Sequence, residues 1–292
     1  ITVQTYPAVS EFPFGILHFL RVLRGDRFCL FLALIFATPL AQADLLADIK
    51  ARGEMVAGVK DSLPPFGYID PETRAIVGYD IDIAGAIARA LGVGLRTVPV
   101  ATATRIPELV QGKIDLIAAT MTHTRQREEQ IDFSYTYFVT GQKVLVRTSS
   151  GIDAIEQLAG RKVSSVRGST SEQNIKAAVP EVRVLAFNDY PIAFLALAQG
   201  KVKAMTTDEA ILIELARKSP RPEDFVLLDQ YISKEPYGLG IRKGEPAFRK
   251  EVNRILADLE KSGEAARIFD KWFGPDSPMP LKRSFRIETD KI

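Results

Sequence analysis

A phrase that the chain uses twice constrains its fold more than any other feature. Pro107-Glu-Leu-Val-Gln111-Gly112-Lys113 runs into IDLIAAT, and Phe194-Leu-Ala-Leu-Ala-Gln199-Gly200-Lys201 runs into VKAMTTD. Each copy reads as a helix, a glycine stop and a β-rich strand. Two copies are too few for a solenoid, so the repeat predicts two similar α/β lobes, each built on a βαβ unit. Other segments fit that pattern. EMVAGVK, VGLRTVPV and KIDLIAAT read as strands, RIPELVQG as a helix, and GYDIDIAGAIARALG as a helix with Ile81, Ala84, Ala88 and Leu91 on one stripe. Such alternation predicts parallel sheets covered by helices.

In open parallel sheets, ligands sit beyond the carboxyl ends of the strands, so the two strand ends can be compared by counting. Thr120 lies nine residues after Gln111, and Asp208 lies nine after Gln199. One end offers a hydroxyl, with Thr122 and Arg127 just beyond it. The other offers a carboxylate. Opposite charges at equivalent positions facing across a cleft would suit a zwitterion: threonine donors and a planar guanidinium for a carboxylate, Asp208 for an ammonium. Asp208 also opens the helix DEAILIELARK, where an N-cap explains an aspartate equally well. In RGSTSEQNIKAAV, Ser169 and Glu172 have capping-box spacing, which predicts a tight turn opening onto a helix N-terminus. The turn has no lysine and no Walker pattern, so it is weak evidence for phosphate.

The bulk numbers exclude other classes. A chain of 292 residues, 46% hydrophobic and 25% charged, can build one large domain or two ordinary ones. With 38 basic and 36 acidic side chains, no nucleic-acid partner is implied. The first 43 residues form a leader. Arg21, Arg24 and Arg27 precede the apolar run Phe28–Leu40, which ends in Ala41-Gln42-Ala43, the pattern of a cleavable signal peptide. That run is short of the roughly 20 residues that span a bilayer. No methionine precedes Met55, so residues 1 to about 20 are expected to lie upstream of a start near Arg21. The single cysteine, Cys29, belongs to the leader, so a mature chain from Asp44 has no disulfide, thiolate metal site or cysteine nucleophile. His123 is the only histidine after the leader, which excludes a histidine-rich metal site and gives a hydrolytic triad poor support. A surface or supporting place suits it better than ligand contact.

GVKDSLPPFGYID, GYDIDIAGAIARAL, TRIPELVQGKIDLIAATMTHTRQREEQIDFS, VRGSTSE, ALAQGKVKAMTTDEAIL, PYGLGIRKG and SGEAARIFDKWFG together resemble the solute-binding proteins of polar amino-acid ATP-binding-cassette transporters. The resemblance covers essentially the whole mature chain. TRIPELVQG, the GSTSE turn and the MPLKRSFRI tail are most similar to the glutamate/aspartate-binding branch. It implies an α/β, two-lobed periplasmic binding protein fold of type II, with a two-stranded hinge left near Val144 and re-entered near Tyr237. Lobe one is then 44–143 plus 238–292, and lobe two is 144–237. It further implies a periplasmic monomer that binds a small polar L-amino acid, closes around it and passes it to membrane permease subunits, with no cofactor and no catalytic residue.

On the same resemblance the α-carboxylate falls to Thr120, Thr122, Arg127, Ser169 and Thr170, and the α-ammonium to Asp208. The ligand's side-chain end falls to Lys60, Thr102 and Arg105, with the ring of Phe66 against its aliphatic part. The branch carries arginine at the position of Lys60 and histidine at that of Tyr190, so side-chain selectivity departs from its pattern. Lys60 and Arg105 bring two positive charges, and none of the matched positions supplies a compensating acid. Burying both without an anion would be costly, so glutamate or aspartate is the expected ligand. Glutamine or another polar amino acid is the alternative. A dehydratase-type enzyme on the same scaffold, with Glu172 as its acid, is the competing class.

Overall fold

The structure, a computed structural model, describes residues 44–287. Helix α1 (Leu45–Arg52) is capped by Asp44, whose Oδ1 accepts the Leu46 N–H at 3.1 Å, and stops at Gly53 with φ +70°. It delivers β1 (Glu54–Val59), buried over all but its first residue. The short strands β2 (Ser62–Leu63), β3 (Gly67–Ile69) and β4 (Ile76–Val77) form a small antiparallel sheet of their own. Helix α2 (Tyr79–Leu91) follows; its buried face is wider than the expected stripe and centres on Ile83 and Ile87, while Ile81 is only half-buried. The first half continues with β5 (Gly94–Pro99), α3 (Arg105–Val110), β6 (Leu116–Ala118) and α4 (Arg125–Glu128). It ends in the long β7 (Ile131–Arg147).

The second half repeats the device: β8 (Lys162–Val166), α5 (Thr170–Ala178), β9 (Arg183–Phe187), α6 (Tyr190–Ala198), β10 (Ala204–Asp208), α7 (Glu209–Arg217) and the short β11 (Phe225–Leu227). The chain returns along β12 (Ser233–Arg242) and finishes with α8 (Pro246–Lys261) and α9 (Glu264–Phe273). The repeated phrase is a repeated geometry. Gly112 after α3 and Gly200 after α6 both take the left-handed conformation, with φ +71° and +73°, which frees the chain to turn into the next strand.

Strand order in the main sheet is β5-β1-β6-β12-β7-β10-β8-β9, with β11 also on β7. β5, β1 and β6 are mutually parallel, as are β10, β8 and β9. Parallel neighbours need helical crossovers, and the helices supply them. Between these two wings lies one antiparallel pair, β7 with β12, in which Phe138 faces Tyr237. At 17 residues β7 is about three times an ordinary strand. It pairs with β12 from Ile131 to Gln142 and with β10 from Gln142 to Val146, so it serves both wings. The molecule is therefore two-lobed, with β7 and β12 as the shared connection.

An aromatic cluster packs where the connection meets the first wing. Phe66, Tyr79, Tyr137, Phe138, Tyr237 and Phe273 are all buried, with ring centroids 5.1–6.4 Å apart. Helix α9 contributes through Ala265, Ile268, Phe269 and Phe273, an apolar stripe at helical spacing. The tail beyond it is tied down by Arg283 on Glu260 and by Phe285 against Phe138 and Phe269. Among the described residues no helix is long and apolar enough to cross a membrane.

Candidate functional site

The site forms where strand ends of the two wings meet. On the first wing, Thr120 sits just past β6 with φ +47°, a conformation that costs a threonine about 1–2 kcal/mol. Its N–H is held by Asp80 Oδ2 at 2.8 Å. From α3, Arg105 reaches the same turn, donating through Nη1 to the Ala119 carbonyl and, at 3.3 Å, to that of Thr120. Lys60, just past β1, donates to the Val100 carbonyl and to Thr102 Oγ1, both at 2.9 Å. Lys60, Thr102, Arg105 and Thr120 are all nearly inaccessible.

Arg127 joins the wings. Thr124 caps α4 by accepting the Arg127 N–H at 3.2 Å, which fixes the backbone. The guanidinium then divides its donors, Nη1 to the Thr122 carbonyl at 2.7 Å and Nη2 across to the Gly168 carbonyl at 3.1 Å. Gly168 has φ +77°, and a Cβ there would lie 3.0 Å from the Ala103 Cα. Only glycine lets the two backbones approach that closely.

On the second wing, Asp208 closes β10 and stands at the N-cap position of α7, but its side chain makes no capping bond. Its Oδ2 accepts the Tyr237 hydroxyl, while its Oδ1 is buried without a partner. The hydroxyls of Thr120 and Thr207 are likewise buried and unpartnered. The turn before α5 makes the first half of the capping box expected there, Ser169 Oγ accepting the Glu172 N–H at 3.2 Å, while Glu172 Oε2 accepts the N–H of Gly168, one residue before the cap, at 3.3 Å. Glu172 also pairs with Lys176, so its carboxylate has a structural use. Ser169 Oγ donates to the Val166 carbonyl, and Thr170 Oγ1 donates to Glu235 Oε2 at 2.8 Å. Tyr190 is buried at the start of α6.

Burial governs the electrostatics. Desolvation, reinforced by Arg105, brings Lys60 down to about 7. It brings Arg127 down to about 9, again with Arg105 adding to the effect while Glu235 and Asp208 oppose it. Burial raises Asp208 to about 7, with Glu235 pushing the same way and Arg105 and Arg127 pulling back. Arg127 and Asp208 thus act on each other across the two wings. Asp80, fully buried, is raised to about 7 by desolvation against the donors Tyr137 and Thr120 and the charges of Arg105 and Lys60.

One residue departs from the sequence reading. Phe66 does not face an open site. It is fully enclosed by the rings of Tyr79, Phe138, Tyr237 and Phe273, because α9 and β7, distant in sequence, close over it. It stands one ring removed from Asp208, through Tyr237. His123 takes the supporting place of the two expected for it: it is buried, with Nε2 2.8 Å from Glu128 Oε1 and its ring stacked 4.2 Å from Phe133. Two acids were missed. Asp80, which holds Thr120 from the side opposite Arg105, supplies a carboxylate whose charge bears on Arg105 and Lys60. Glu235, buried on β12, accepts from Thr170, Ser233 and Asn174. Two cavities flank these groups, and residues of both wings line each. One, about 480 Å³, lies against Thr102, Arg105, Arg127, Gly168 and Thr170; the other, about 250 Å³, lies against Lys60, Thr102 and Tyr190.

Chemically, a cation and an anion are offered within electrostatic reach of each other, with unpartnered buried hydroxyls on Thr120 and Thr207 and a second cationic corner at Lys60 and Arg105. The comparisons with known proteins agree in class. Residues 55–275 match the model of the bacterial extracellular solute-binding proteins, family 3. The ABC transporter glutamine-binding protein GlnH of Bacillus subtilis (strain 168) is 41% identical over 82% of this chain and 88% of its own. The glutamate/aspartate import solute-binding protein of Escherichia coli (strain K12) is 30% identical over 89% of this chain and 92% of its own. An ancestral arginine-binding protein bound to glutamine superposes with a TM-score of 0.72 at 38% identity, over 76% of this chain and 99% of that one.

Proposed function

The chain belongs to the bacterial extracellular solute-binding proteins of family 3, and on that premise we propose that it binds L-glutamine as a zwitterion held between Arg127 and Asp208. It is an amino-acid-binding component of an ATP-binding-cassette transporter and not an enzyme. The observation that carries the ligand geometry is that Asp208 closes a strand of one wing while Arg127, on α4 just beyond the matching strand end of the other wing, reaches across to the Gly168 carbonyl, and that the two influence each other's charge. The α-carboxylate would take Arg127 with Thr120, Thr122 and the turn at Ser169 and Thr170; the ammonium would take the unpartnered oxygen of Asp208. At the other end, the side-chain amide oxygen would accept from Lys60 or Arg105, and its NH₂ would donate to Thr102 or Tyr190.

Glutamine is put first for two reasons. The relative at 41% identity is named for it, and the Asp80 carboxylate already opposes the positive charge of Lys60 and Arg105 at the side-chain end. Glutamate or aspartate is the second reading, favoured by Lys60 and Arg105 standing together, and by the relative at 30% identity.

Closure follows from the same geometry. We take 44–143 plus 238–292 as lobe one and 144–237 as lobe two, moving about the β7–β12 pair. A ligand that touches both lobes stabilises the closed state by its contacts to the second. Micromolar affinity amounts to about 8 kcal/mol, within reach of a few charge-assisted bonds in a desolvated cleft. The leader, which lies outside the described residues, would export the chain to the periplasm, where it would work as a monomer with its permease. A thermal-shift panel of the common amino acids on residues 44–292 tests the reading. Glutamine at about 100 times Kd should stabilise by about 2.7 kcal/mol. A panel in which no amino acid raises Tm, or only arginine or lysine does, would reject it.

A further inference from the structure

We propose that Asp80 is a positioning residue that sets the ligand's side-chain charge: its ionised carboxylate, which holds Thr120 from the side opposite Arg105, makes the site favour a neutral amide over a carboxylate. The proposal rests on the binding reading above. Asp80 stands in the first turn of α2 and is fully buried on a face that is otherwise Tyr79, isoleucine, alanine and leucine. Each of its oxygens has a defined donor. Oδ2 accepts the Thr120 N–H and Oδ1 the Tyr137 hydroxyl, both at 2.8 Å. The Tyr137 carbonyl in turn accepts the Tyr79 hydroxyl at 2.8 Å, so the arrangement is fixed from three elements.

Those two donors are neutral, and a neutral acceptor would satisfy them. A buried carboxylate is costly unless charge answers it, and the charges that answer this one are Arg105 and Lys60. Arg105 and Asp80 grip one residue from its two sides, the carbonyl and the N–H of Thr120, and so hold it in its left-handed conformation. Lys60 is tied to Thr102, three residues before Arg105. Ionised Asp80 therefore makes the corner one charge less positive than a neutral group in its place would, and Asp61 and Asp189 add their charge on the Lys60 side. An amide adds no charge to it. Removing the Asp80 charge makes the corner one unit more positive, and a ligand carboxylate then gains as a partner relative to an amide.

The test is competition binding of L-glutamine against L-glutamate at pH 8, in wild type and in Asp80→Asn. The asparagine oxygen can still accept from Thr120, so the turn is kept while the charge is lost. The preference should move toward glutamate at least tenfold, with both ligands still bound. An unchanged ratio, whether both affinities fall together or neither changes, makes Asp80 a purely structural support and overturns the proposal. A shift toward glutamine also overturns it. Which ligand the wild type prefers tests the glutamine reading separately, because the proposal is read only from the change between proteins. If Asp80→Asn does not fold, Tyr137→Phe removes one donor that stabilises the charge. It should move the ratio the same way by a smaller factor, and no movement there would overturn the proposal.

Discussion

Tyr237 donates its hydroxyl to one carboxylate oxygen of Asp208, and the other oxygen is buried without a partner. The tyrosine comes from β12 and the aspartate from the end of β10, so the connecting pair of strands itself aims the carboxylate. An N-cap role would have turned Asp208 onto α7, and no such bond is made.

Asp208→Ala should therefore lose at least a hundredfold in amino-acid affinity while keeping its circular dichroism spectrum. Removing one partner of a buried charge pair typically costs about 2–5 kcal/mol. Tyr237→Phe keeps the carboxylate and loses only its orientation, so a drop of about tenfold is expected, near 1.4 kcal/mol. Calorimetry on both folded variants checks this. Binding by Asp208→Ala within threefold of wild type would remove it from the site.

Stability should respond to pH through the same group. A carboxyl whose pKa is higher folded than unfolded contributes stability that is fully present below the unfolded value and is lost as pH rises through the folded one. For Asp208 and Asp80 that loss is complete above about 7. Lys60, lowered to about 7, runs oppositely: its contribution is full above its unfolded value and is lost as pH falls through about 7. Asp208→Asn carries no charge at any pH. Without ligand it should melt above wild type at pH 8, by up to about 4 kcal/mol for a shift of about three pKa units, and the margin should shrink by roughly half or more at pH 5. Thermal melts at the two pH values decide it; an equal margin would mean that the buried charge is not the cause.

Arg127→Lys keeps a positive charge but cannot span the Thr122 and Gly168 carbonyls with two fixed donors. Affinity should fall at least tenfold, with Tm changed by only a few degrees. A lysine variant that bound like wild type would assign Arg127 a simple charge role.

Export gives an independent check on the leader. Protein expressed with residues 1–43 in a Gram-negative host should appear in the periplasmic fraction with Asp44 as its first residue. A product that still contains Leu40, or that stays in the membrane after a salt wash, would contradict a cleaved signal.

The fold was largely legible because its signals are local. A helix, a left-handed glycine and a strand occupy one short phrase, and counting along the two phrases pairs Thr120 with Asp208. Asp80 was not legible. An acid in the first turn of a helix is already explained by the helix dipole, and nothing in GYDIDIAG says that Thr120 and Tyr137 will close over it. Glu235 lies in a strand stretch, SKEPYG, where no periodicity marks it as buried. Tyr137 and Tyr237 read as ordinary strand aromatics, since their hydroxyl partners are 57 and 29 residues away. Phe66 failed for the same reason: the rings that enclose it come from α2, β7, β12 and α9.

The central claim is that one amino acid bridges the wings, with its carboxylate on Arg127 and its ammonium on Asp208. A crystal structure of residues 44–292 with L-glutamine tests it most directly. The expected map shows the ligand carboxylate within about 3 Å of the Arg127 guanidinium and the ammonium within about 3 Å of Asp208 Oδ1, with the side-chain amide toward Lys60 and Arg105. A ligand that left either Arg127 or Asp208 untouched, or that lay with its ends reversed, would contradict it.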